Sequence, residues 1–162
     1  MERTSNHQGH EGKKLVYIFV YLVSFVVKWR GNMAKYAPIP REVERYGKAL
    51  LDAAFEVHTI LGAGFLERIY EDALCHELAL RRVPFERQKA VLVPYKDLSI
   101  EGQRLDLLIG GLVIAELKAV SEIHPVHQAQ LMSYLKATGL RLGFIVNFNV
   151  PHLKDGIRRV VM

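Results

Sequence analysis

The sequence predicts a mixed α/β domain in which helices flank a central sheet. Three observations point that way: a helix-period apolar stripe over Arg41–Leu61, three Val/Ile/Leu-rich runs between Phe85 and Val120, and a return to helix and then strand after Pro125. A chain of 162 residues, 50% of them hydrophobic, has material for one real core, so a single functional domain is the expectation.

Each element has its own signal. Val43, Tyr46, Leu50, Ala53, Ala54, Val57 and Leu61 recur at intervals of three and four, which describes one face of a helix. That helix stops at "LGAG", where Gly62 and Gly64 accept the backbone angles of a tight turn. A second helix runs from Leu66 to about Arg82, ahead of Pro84. Its buried side is read as Phe65, Ile69 and Leu74, with Glu67, Tyr70, Glu71 and Asp72 spread over the rest. Phe85–Tyr95, Ile100–Ile109 and Leu112–Val120 read as strands broken by "YKD" and "GG". Pro125 suits the first turn of a third helix that runs to Thr138 and is capped by Gly139, and "LRLGFIVNFN" supplies a last strand.

The amino-terminal segment reads differently. Leu15–Val27 is an uncharged apolar run, but a helix of that length would span roughly 20 Å against a hydrocarbon core of about 30 Å. Lys28, Trp29 and Arg30 follow it with no small-residue cleavage site, which disfavours secretion. Residues 1–33 are therefore expected to form an extension outside a functional domain at 34–162; membrane contact through residues 15–27 is the less favoured reading. Cys75 is the sole cysteine, which excludes an internal disulfide and points to a reducing, cytoplasmic setting. Of the net charge of +5, the extension carries more than half, because Met1–Met33 holds five Lys/Arg against two acids. The high pI is accordingly a weak argument for nucleic-acid binding.

The chemistry concentrates in "RLDLLIGGLVIAELKAV". These strands are apolar enough to be buried, yet they carry Asp106, Glu116 and Lys118, and buried charges are costly unless paired or bound to metal. Period-two alternation puts Glu116 and Lys118 on one face. If Gly110, Gly111 and Leu112 form the connection, Asp106 lies opposite Glu116; a turn of Gly110 and Gly111 alone would send Asp106 to the other face. Two carboxylates and a lysine so arranged meet the needs of phosphodiester hydrolysis. The carboxylates hold a hard divalent cation, Mg²⁺ in the first instance and Mn²⁺ as a substitute, and the lysine sits beside the attacking water.

"GFLERIYEDAL", "RLDLLI", "VIAELKAV", "HQAQLMSYLKATGLRLGFIVNFN" and "LKDGIRR" together resemble the GxxExxY protein family, a branch of the PD-(D/E)XK nuclease superfamily, over roughly Arg41 to Val161. Gly64, Glu67 and Tyr70 match the naming motif, and Asp106 with Glu116-Leu117-Lys118 resembles the acidic and (D/E)XK elements, with Leu105 where the superfamily's name has proline. The resemblance implies a restriction-endonuclease-like αβββαβ core.

By itself Glu67 reads as a first-turn acid that complements the helix dipole. The resemblance implies more: a glutamate that reaches the metal centre, directly or through water. Tyr70, one turn on, is either a packing residue or a phosphate contact. Gln130 and Tyr134, four apart in the third helix, resemble a Gln-xxx-Tyr motif that lines the rim of the site in exonuclease-type branches. His124 and His127 have zinc-compatible spacing but no matching ligand set, since Cys75-His76 lies on another helix; His127 is read instead as a phosphate contact. The implied function is a metal-dependent nuclease, in the first instance on DNA, with the ion held by Asp106, Glu116, the Leu117 carbonyl and Glu67. The alternative is a non-catalytic nucleic-acid or protein-binding module that keeps the fold.

Overall fold

A computed structural model describes residues 38–162; the extension at 1–33, its hydrophobic run and the proposed boundary after residue 33 lie outside the described residues. The described elements are α1 (Arg41–Leu61), α2 (Glu67–Leu80), β1 (Phe85–Tyr95), β2 (Leu98–Ile109), β3 (Val113–Lys118), α3 (Pro125–Thr138), β4 (Leu142–Asn147), a 3₁₀ turn (Leu153–Gly156) and β5 (Ile157–Val161). The strands form one mixed sheet in the order β1-β2-β3-β4-β5, antiparallel throughout except for the parallel pair β3/β4. That parallel pair needs a long crossover, and α3 provides it. The predicted α/β class and flanking helices are present. No described helix is long and apolar enough to cross a membrane.

The sheet has two differently made faces. Leu107, Ile109, Val113, Ala115, Leu117, Phe144 and Val146 pack against Leu50, Ala53, Ala54 and Val57 of α1 and Tyr70, Leu74 and Leu78 of α2. Leu108, Ile114 and Ile145 pack instead against Leu131, Tyr134 and Leu135 of α3. The alternation along β3 is the cause: Ala115 and Leu117 go one way, Ile114 and Glu116 the other.

The β2–β3 connection decides the register. Leu112 N–H bonds the Ile109 carbonyl at 3.0 Å, and Gly110 and Gly111 both take positive φ, at 59° and 70°. Only glycine serves at position 110, because a Cβ there would lie 2.5 Å from the Tyr46 ring. Ile109 pairs with Val113, Leu108 with Ile114 and Leu107 with Ala115, so the connection comprises Gly110, Gly111 and Leu112.

Two sequence expectations are corrected. β5 was not foreseen: "IRRVV" is short, carries two arginines and runs along the sheet edge, where one exposed side hides the strand pattern. The buried side of α2 agrees with the expectation only at Leu74: Phe65 and Ile69 are 45% and 41% exposed, whereas Tyr70 and Leu78 are fully buried with Leu74 and Glu71 is nearly so. Tyr70 can be buried because its hydroxyl donates to the Gly62 carbonyl at 2.7 Å and accepts from Phe65 N–H at 3.1 Å, while its ring stacks on Phe148 with centroids 4.6 Å apart. Burial of Glu71 is compensated by Arg87 and Gln88, which donate to its Oε1 from 2.7 and 2.9 Å.

Candidate active site

Three strands bring polar side chains into one row. The β2/β3 register sets Asp106 opposite Glu116, and the pairs Arg87 with Leu107 and Lys89 with Leu105 set Gln88 opposite Asp106. Leu117 N–H donates to Asp106 Oδ2 at 2.8 Å, which ties the aspartate to the next strand. Lys118 Nζ stands 2.8 Å from the Leu117 carbonyl, 3.5 Å from Glu116 Oε2 and 4.0 Å from Asp106 Oδ2. The strong bond is the one to the carbonyl; the carboxylate contacts are long and chiefly electrostatic.

Glu116 is the anomaly of the row. It is 1% exposed, and its Oε1 is buried without a hydrogen-bond partner. Burial pushes its carboxyl up to about 7, with the neighbouring Asp106 charge adding to the effect and Lys118 opposing it. Asp106 is also raised by burial, against which the Leu117 N–H, Lys118 and a hydrogen bond from the Gln88 side chain hold it down. A buried carboxylate oxygen with no donor is costly, and a cation is one thing that relieves the cost.

The second helix supplies acids to the same place. Glu67, Tyr70, Glu71, Leu74 and Leu78 follow one another at steps of three, one, three and four, so the two glutamates continue the buried stripe toward the helix start. Glu67 keeps solvent access, yet its carboxylate faces Lys118, Asp106 and the Ala119 backbone amide, and partial burial raises its pKa. Tyr70 occupies the core with its hydroxyl fully engaged, so of its two foreseen roles the structure leaves packing; a phosphate contact is ruled out by burial.

The third helix forms the opposite wall. Gln130 Nε2 donates to the Tyr134 hydroxyl at 2.8 Å, and that hydroxyl donates to the Arg104 carbonyl at 2.9 Å. Tyr134 is 2% exposed, and its phenol is raised by burial and by the Glu116 and Asp106 charges it faces. Gln130 is half-buried and lies at the rim beside it. His127 caps the helix start: its Nδ1 accepts the His124 N–H at 3.1 Å, which leaves its other ring nitrogen as the group available to a phosphate.

Sequence reasoning missed three residues at or beside this site. Glu71 was read as a surface acid, although its place in the three-and-four stripe was a legible signal. Gln88 in "FERQKA" gave none, because its role depends on the β1/β2 register. Asn147, 1% exposed, donates to the Val120 carbonyl at 2.8 Å and accepts the Val120 N–H at 3.0 Å, fixing the chain where it leaves β3.

The donor set suits a small, hard divalent cation: two carboxylates, one of them with an orphaned oxygen, and a backbone carbonyl. Among the described residues no three His, Cys, Asp or Glu side chains are grouped closely enough to ligate one ion. Mg²⁺ tolerates that, since it usually keeps several waters and binds through one or two carboxylates. Burial also pushes the Cys75 thiol up to about 11.

A family model described as the PD-(D/E)XK nuclease superfamily matches residues 44–160, a span that contains β1 to β4, all but the last residue of β5 and every residue of the row. No curated protein and no solved structure matches the chain. With the mixed sheet, the Asp106/Glu116/Lys118 row and that match over most of its length, the chain belongs to the PD-(D/E)XK nuclease superfamily.

Proposed function

We propose that the protein is a metal-dependent nuclease that hydrolyses phosphodiester bonds, in the first instance of DNA. The observation that carries this is the buried Glu116 Oε1 without a partner, on a carboxylate whose other oxygen stands 3.5 Å from Lys118 Nζ, itself 4.0 Å from Asp106 Oδ2. Members of the superfamily generally use divalent metals, typically Mg²⁺, and Asp106, Glu116 and the Leu117 carbonyl are the groups that would hold one. When bound, the ion supplies Lewis-acid polarisation of the phosphate and a water of lowered pKa.

The chain's own residues do the rest. The Lys118 ammonium orients the attacking water and counters the charge that builds on the phosphate oxygens. Glu67, solvent-accessible and directed at Lys118, acts on the ion or the nucleophile through a water molecule. Gln130, anchored by Tyr134, and the free nitrogen of His127 position the substrate backbone. We further propose the GxxExxY branch, on Gly64, Glu67 and Tyr70, a catalytic domain at 34–162, and a cytoplasmic setting.

The test is cleavage of single-stranded, duplex and branched DNA, and of RNA, with and without Mg²⁺ or Mn²⁺. Metal-dependent cleavage that is lost in Asp106→Asn is the expected result. A wild-type protein with neither cleavage nor a melting shift at millimolar metal, with or without nucleic acid, would instead be a binding module that keeps the fold.

A further inference from the structure

Gln88 is unusual on two independent counts. It lies inside β1, flanked by the pairs Arg87 with Leu107 and Lys89 with Leu105, which share one register, yet its φ is +50°, a region that non-glycine residues in strands avoid. Its side-chain amide is also tied to an acid, Nε2 donating to Glu71 Oε1 at 2.9 Å, and the strand register sets the residue opposite Asp106. The amide orientation follows from chemistry, because a flipped amide would point its oxygen at a carboxylate.

Strain of this kind persists only where the surroundings over-determine it. Here the surroundings are Glu71, which Arg87 Nε holds from 2.7 Å, and Asp106, which Leu117 N–H holds from 2.8 Å. Arg87 also pairs with Asp72 at 2.7 Å, so the chain of contacts begins at a firmly held cation on the protein surface.

We infer that Gln88 is a positioning residue for Asp106: its side chain, held on Glu71 of α2 and set opposite Asp106 of β2, fixes the orientation of that carboxylate, with Glu71 and Arg87 as the anchor. The inference rests on the nuclease reading above. Gln88 touches neither the scissile phosphate nor Lys118; it acts through Asp106. Partners of this kind, one step behind a metal ligand, typically govern affinity for the ion by 10–100-fold.

The experiment is Mn²⁺ titration of the full chain by calorimetry, with the metal dependence of DNA cleavage measured in parallel. Gln88→Leu keeps the bulk and removes the donor; it should weaken Mn²⁺ binding by about 10-fold or more and raise the metal concentration for half-maximal cleavage to match, with KM for DNA unchanged. Glu71→Gln should weaken both in the same direction, and the double variant should be no worse than Gln88→Leu alone, because the two residues act as one unit. A Gln88→Leu protein that melts cooperatively and binds Mn²⁺ as tightly as wild type overturns the inference. If Gln88→Leu does not fold, Glu71→Gln decides, and wild-type affinity there overturns it equally. Absence of Mn²⁺ binding by the wild type would remove the nuclease reading itself, a result distinct from wild type and variants binding alike.

Discussion

The two faces of β3 are one residue apart in sequence and opposite in character. Ala115 and Leu117 point into an apolar layer closed by α1 and α2, in which every group is satisfied by packing. Glu116 and Lys118 point toward α3, where a carboxylate oxygen is left without a donor and three acids crowd one lysine. The dry face supplies stability of the ordinary kind, roughly 25 cal/mol for each Å² of apolar surface buried. The polar face consumes some of it. Burying Glu116 is tolerable because the strand that carries it is held from behind by Leu117 and alongside by β4, whose Ile145 pairs with Glu116 itself.

Substitutions on the two faces should therefore separate function from stability. The largest effect is expected from Lys118→Ala, which should lower the cleavage rate by roughly 10²–10⁴-fold while leaving Mn²⁺ binding by calorimetry intact. A rate within threefold of wild type would remove the lysine from the chemistry.

Next is the opposite face. Leu117→Ala, 1% exposed in the wild type, should destabilise the fold by about 3 kcal/mol in urea unfolding. Lys118→Ala should fall well short of that. Equal destabilisation by the two would dissolve the contrast between the faces.

Glu116→Gln should act with the reverse sign. Because the folded protein holds the Glu116 proton up to about 7, above the ordinary 4.5, the group's stabilising contribution is complete below 4.5 and is lost as pH rises through about 7. The apo protein should thus be less stable at pH 8 than at pH 6, in unfolding measured at each pH. Glu116→Gln should flatten that slope and stabilise the apo form at pH 8 by about 1–3 kcal/mol, while abolishing the metal-induced melting shift. A slope unchanged in the variant would mean that another group titrates.

The smallest effect is expected outside both faces. A chain that begins at Met33 should unfold with an unchanged midpoint and cleave at the wild-type rate, since all the described strands and helices lie within Arg41–Val161. Loss of cooperative unfolding on removing residues 1–32 would make the extension part of the core.

How far the site was legible depended on whether the signal was local. Asp106, Glu116 and Lys118 were visible because a charge inside an apolar strand violates a pattern that spans only a few residues, and the Gly110–Gly111 connection left just two registers to choose between. In α2 residue type and spacing point to different faces: Phe65 and Ile69 are apolar and exposed, whereas Glu71 is acidic and buried. Spacing alone would have chosen Tyr70, Glu71, Leu74 and Leu78.

The sequence by itself determined the helix and strand order, save for β5, the glycine connection and the identity of the acidic and lysine residues, all through periodicities and breakers that act within about ten residues. Only the tertiary structure decided the rest. Burial of Tyr70 waited on the Gly62 carbonyl and the Phe148 ring, and burial of Glu71 on Arg87 and Gln88 from another element. The place of Gln88 beside Asp106 waited on strand pairing. The physical reason is common to all three: the free energy of a buried polar group depends on which partners reach it, and those partners come from distant parts of the chain.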